Sequence, residues 1–127
     1  MMDENFIKAI EKVFGIDNAE VYCVCSAYVC IYNWTKTYQL DGIYSAVDFL
    51  NMAIHLDQFT PISCDKNKTE LLIQTQGPGL TIAHYICQCF ELLNELSNKK
   101  GSEYATSLVT AHSYLLEATR LWKEYMQ

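Results

Sequence analysis

The chain has 127 residues, half of them hydrophobic and 13% aromatic, with 15 acidic residues against 9 basic ones and a formal net charge of −6. This length suits one domain, residues 1–127, and the apolar share is enough to bury a core, which excludes disordered, collagen-like and low-complexity classes. Arg120 is the sole arginine. Binding a phosphate backbone draws on clustered Lys and Arg, and Arg is the usual reader of guanine edges, so the balance argues against a nucleic-acid partner.

The opening MMDENFIK carries Asp3 and Glu4 where a secretory signal would carry positive charge, and no apolar region with a small-residue cleavage site follows. The longest apolar stretch, Val21 to Trp34, is bounded by Glu20 and Lys36. It falls well short of the ~20 residues needed to cross a bilayer. A cytoplasmic protein without a membrane segment is expected.

Asp3 can cap a first helix in which Phe6, Ile10, Val13 and Phe14 share one stripe, with Gly15 at its stop. Asp17 and Glu20 resemble a capping box that opens a second helix, running from Val21 to Tyr38. Tyr22, Val24, Cys25, Tyr28, Val29, Ile31, Tyr32 and Trp34 place apolar side chains all round that helix, the pattern of a hydrophobic central helix enclosed by others. Its β-branched and aromatic content would also suit a strand, but eighteen residues without a turn signal exceed the usual strand length of ~3–10.

Asp41-Gly42 opens a third helix, with Ile43, Ala46, Val47, Leu50, Ala53, Ile54 and Leu56 at helical spacing and an end near Asp57. Phe59 to Lys68 is polar and Pro-bearing, the most loop-like segment, and a brief helical piece from Thr69 to Gln74 precedes the break at Gly77-Pro78-Gly79. Ile82, Ile86, Cys89, Leu93 and Leu96 then recur at steps of four and three. The pattern resumes after Asn98 to Ser102 with Tyr104, Leu108, Ala111, Leu115, Ala118, Trp122 and Tyr125. Two such stripes joined by a short connection predict a C-terminal antiparallel helical hairpin. The fold class expected is all-α, a compact antiparallel helical bundle of about five to six helices.

No local catalytic signature accompanies these helices. Gly77-Pro78-Gly79 is followed by no lysine until Lys99, which does not suit a P-loop, and His55, His84 and His112 are each solitary, without the paired spacing of helical zinc or di-iron sites. Glu91 and Glu95, with Glu117 and Glu124, depart from the Glu-x-x-Glu spacing of all-α nucleotide pyrophosphohydrolases and read as solvated backs of the hairpin. His112 lies near the seam and reads as a partly buried histidine hydrogen-bonded to a neighbouring helix.

Six cysteines are present, five of them in apolar helical runs where free thiols behave as small hydrophobes. Cys23-Val24-Cys25 and Cys87-Gln88-Cys89, with Cys30, are the material for a thiolate metal site. Residues i and i+2 on a helix point ~200° apart, however, so neither Cys-x-Cys pair can chelate without unwinding. No catalytic, cofactor-binding or metal-binding residue is therefore expected.

Nine tyrosines and two tryptophans remain as rigid contact area with polar tips. Trp34 and Tyr38 at the end of the central helix, with Trp122 and Tyr125 near the C-terminus, are the candidate partner-binding residues. An acidic surface around such rings favours a basic protein partner. The functional expectation is a small acidic interaction module, an inhibitor, immunity-type or adaptor protein of the kind carried by viruses and mobile elements, covering a partner protein or its own copy in a homodimer. The competing reading is a thiolate metal-binding bundle or a small helical enzyme.

Overall fold

A computed structural model describes residues 16–39 and 41–126. The first expected helix, Asp3 to Phe14 with its Gly15 stop, lies outside the described residues. All regular structure among them is helical: α1 (Ile16–Thr37), α2 (Asp41–Leu56), α3 (Lys66–Gln76), α4 (Pro78–Glu95), a 3-10 turn at Leu96–Asn98, and α5 (Gly101–Tyr125). The all-α expectation holds, with five α-helices among the described residues. The chain divides into two compact units between Thr60 and Pro61, inside the segment that sequence marks as most loop-like.

In the first unit α1 packs against α2. Ala19, Cys23, Ala27 and Ile31, spaced by four, form the buried stripe of α1, and Ile43, Ala46, Phe49, Leu50, Ala53 and Ile54 are buried on α2. Most of the α1 stripe is small, which permits close approach of the bulkier α2. Gly42 marks a close approach, because a Cβ there would stand 3.2 Å from the Cys30 carbonyl oxygen. Each buried Leu or Ile contributes roughly 1.5–3 kcal/mol relative to exposure.

α1 begins at Ile16, so Asp17 lies within the helix and the expected capping box does not mark its start. The same helix departs from expectation in a second way. Its apolar pattern runs all round, but its burial does not: Val21, Tyr22, Val29 and Tyr32 are 58, 41, 53 and 46% exposed. The helix ends at Thr37, and Tyr38 just beyond it takes a left-handed φ of 57° while its N–H reaches back to the Trp34 carbonyl at 2.7 Å.

In the second unit α3 is longer than the expected Thr69 to Gln74. Asp65 caps it, its carboxylate accepting the Asn67 N–H at 2.9 Å, and so recruits Lys66 to Lys68 into the first turn. The break before α4 shrinks to one residue, Gly77 at φ 86°, because Pro78 serves as the first residue of α4, where its missing N–H costs nothing. α4 and α5 form the hairpin expected from the stripes. Ile82, Ile86, Cys89, Leu93 and Leu96 are all buried, as are Leu108, Ala111, Leu115 and Ala118. The stripe frays at its ends, where Tyr104 and Trp122 are half-buried and Tyr125 is exposed. No described helix is long and apolar enough to cross a membrane.

Candidate functional site

The four aromatic candidates are divided between the two units. Trp34 and Tyr38 belong to the first unit and make an edge-to-face contact, centroids 5.7 Å apart and planes at 83°. Tyr38 is 74% exposed despite that contact, since its left-handed backbone turns it out beyond the helix end. Trp122 and Tyr125 lie in the last turns of α5 in the second unit.

Sequence reasoning passed over a larger surface on α1. At 100° per residue, Val21, Tyr22, Cys25, Val29 and Tyr32 occupy one side of the helix, opposite the stripe of Ala19, Cys23, Ala27 and Ile31. Between Glu20 and Lys36 the helix carries no charged residue. Lys36 borders the face, its ammonium 5.3 Å from the Tyr32 ring centroid. A cleft of about 460 Å³ opens beside the face, lined by Tyr22, Cys25, Ser26, Val29, Cys30 and Phe49. Phe49 meets Tyr22 edge-on at 6.2 Å, which holds the tyrosine ring at the cleft wall.

The second unit contains a buried polar cluster, and this overturns one expectation. Glu117 does not lie on a solvated back: it is 7% exposed. Thr69 Oγ1 of α3 donates to its Oε2 at 2.8 Å, and Tyr85 Oη of α4 lies 2.6 Å from the same Thr69 oxygen. With Thr69 committed as donor to the carboxylate, the Tyr85 hydroxyl is the donor to Thr69. Arg120 Nε donates to Oε1, and Arg120 Nη1 reaches Glu124 at 2.7 Å. Hydrogen bonding to Glu117 pushes the Arg120 guanidinium above its ordinary pKa, and burial raises that of Tyr85. The expectation survives for Glu91, Glu95 and Glu124, which are exposed. The one signal for the cluster in the sequence is the Glu117, Arg120, Glu124 spacing of three and four on a single helix; nothing local points to Thr69 or Tyr85.

Beside this cluster a cleft of about 350 Å³ is lined in part by Ser63, Cys64, Lys66, Ser113, Arg120 and Lys123. Two of its nucleophile candidates, Cys64 and Ser113, are engaged in structural bonds. The Cys64 thiol donates to the Ser113 carbonyl at 3.3 Å and is pushed up in pKa by burial, while Ser113 Oγ donates to the Thr110 carbonyl at 2.6 Å. A thiol held protonated is a poor nucleophile. His112 is buried, and its Nδ1 has no hydrogen-bond partner, unlike the bonded histidine expected. Burial lowers its pKa.

The cysteines follow helical geometry. Cys23 and Cys89 are buried, whereas Cys25 and Cys87, two residues away on the opposite sides of their helices, are exposed and so are not the buried small hydrophobes expected of them. Burial pushes the Cys23 thiol up to about 11 and raises Cys30 and Cys89. Among the described residues no group of three or more His, Cys, Asp or Glu comes together as a metal centre. Comparison with protein-family models, with curated proteins and with solved structures returns no significant match.

Proposed function

We propose that the chain is a small helical binding protein, an inhibitor, immunity-type or adaptor module, that works by laying the outward face of α1 on a protein partner. The observation that supports this reading is the row of four large apolar side chains, all more than 40% exposed, on one side of a single helix that carries no charge between Glu20 and Lys36. Elsewhere among the described residues exposed large apolar side chains occur one or two to an element, as Leu71 on α3 or Leu80 on α4, an ordinary feature of soluble surfaces. Tyr38, exposed at the end of the same helix, extends the contact, and Trp122 with Tyr125 forms a second, smaller one on α5. Covering a surface requires no activated nucleophile, consistent with the occupied bonding of Cys64 and Ser113.

The test is a photo-crosslinking residue at position 29, compared with one at position 71, in cells that make the protein. A crosslinked species of discrete mass from position 29, lost with Tyr22→Glu and not formed from position 71, is the expected result. Equal crosslinking from both positions, or none from position 29, would remove the reading.

A further inference from the structure

The exposed residues of α1 have a register of their own. Tyr22, Cys25, Val29, Tyr32 and Lys36 follow one another at steps of three, four, three and four, the a and d alternation by which one helix packs against another in a left-handed pair. This row lies opposite the stripe that α1 buries, so the helix has two packing faces, one of them exposed.

Two features indicate what fits it. The first is size order. In an antiparallel pair, a positions meet d positions of the opposing helix. An axis at the level of Ala27 then sets Tyr22 of one copy opposite Tyr32 of the other, and Cys25 opposite Val29. Large meets large at the ends, and small meets medium at the centre, beside the cleft that Ser26, Cys30 and Phe49 help to line. Reversed, the row thus meets itself layer for layer, with both tyrosine layers at the ends and the smaller side chains at the centre.

The second feature is charge. Lys36 is the only charged residue in the row. A parallel pair in register would set Lys36 against Lys36, whereas the antiparallel pair sends the two ammonium groups to opposite ends, about 27 Å apart at 1.5 Å per residue, and also opposes the helix dipoles. The surface involved is small, on the order of 500 Å² per copy against about 800 Å² for a standard interface, which points to a weak, concentration-dependent pair.

We infer that α1 pairs with α1 of a second copy, antiparallel about a two-fold axis level with Ala27. This rests on the reading of the α1 face as a docking surface and names its occupant. Sedimentation of the full chain from 1 to 500 µM, concentrations of roughly the range in which so small an interface forms, should show a reversible dimer, and Tyr22→Glu should abolish it while the circular dichroism melt stays cooperative, lowered only by loss of the edge contact with Phe49. In a Cys87→Ser background, Val29→Cys oxidised with diamide should give a disulfide-linked dimer through Cys25 and position 29, each bond giving up two electrons to the diamide. The parent with Val29 intact should give none.

A monomer throughout the range overturns the inference, as does a Cys25 to Cys25 link in the parent, the signature of a parallel pair. If the chain stays monomeric while position 29 still crosslinks a species that Tyr22→Glu removes, self-pairing fails and the docking surface stands. If neither occurs, both fail.

Discussion

Thr69 on α3 and Glu117 on α5, 48 residues apart in sequence, share a buried hydrogen bond of 2.8 Å. Tyr85 on α4 completes it through the same threonine oxygen. Three helices of the second unit are therefore joined at one hydroxyl, and Arg120 balances the charge of the carboxylate.

Replacing that hydroxyl should be costly out of proportion to its size. Thr69→Val keeps the side-chain shape but strands the Tyr85 hydroxyl and one Glu117 oxygen, so a loss of about 1–3 kcal/mol in urea unfolding is expected, with substantial recovery in Thr69→Ser. A Thr69→Val protein as stable as the parent would show that the cluster contributes nothing.

Leu115 is fully buried on the hairpin stripe. Leu115→Asp places an unpaired carboxylate there, and a loss of about 4 kcal/mol or more is expected, enough to unfold a marginal domain. Circular dichroism melting reads this directly; an unchanged melt would contradict the packing of α4 on α5.

His112 makes stability depend on pH with a defined sign. Burial lowers its folded pKa below the ordinary 6.5, so the unfolded chain takes up its proton first on acidification. The stabilisation is complete above about pH 6.5 and declines as pH falls towards the folded value, with a limiting slope of about 1.4 kcal/mol per pH unit. His112→Phe should flatten unfolding free energy across that window, and an unaltered slope would mean that other groups set it.

Thiol labelling should divide the cysteines by exposure. Under native conditions Cys25 and Cys87 should react with a maleimide within minutes, and Cys23 and Cys89 only after denaturation. Mass spectrometry of the labelled peptides reads the order. Fast labelling of Cys23 would mean that the α1–α2 contact opens readily.

Tyr38 holds a left-handed backbone at a cost of roughly 1 kcal/mol for a residue with a Cβ. Tyr38→Gly relieves that strain and gives up the edge contact with Trp34, so stability should change by less than about 1 kcal/mol. The substitution thereby removes an exposed ring from the proposed docking surface without unfolding the protein, and thermal melting checks that the fold is kept.

Helix identity, the α2 boundaries and the buried rows of the hairpin were legible in the sequence, because the 3.6-residue repeat and the signals at Asp41-Gly42 and Gly77-Pro78 are local properties of a few neighbouring residues. The docking face and the polar cluster were not. Periodicity reports which residues share a side, but α1 is apolar on both, so only packing against α2 decides that Cys23 is dry and Cys25 wet. A glutamate's environment is likewise set by what surrounds it in space: Glu117 reads as one more surface charge until the fold brings Thr69 and Tyr85 to it, since burying a carboxylate depends on donors that sequence distance hides.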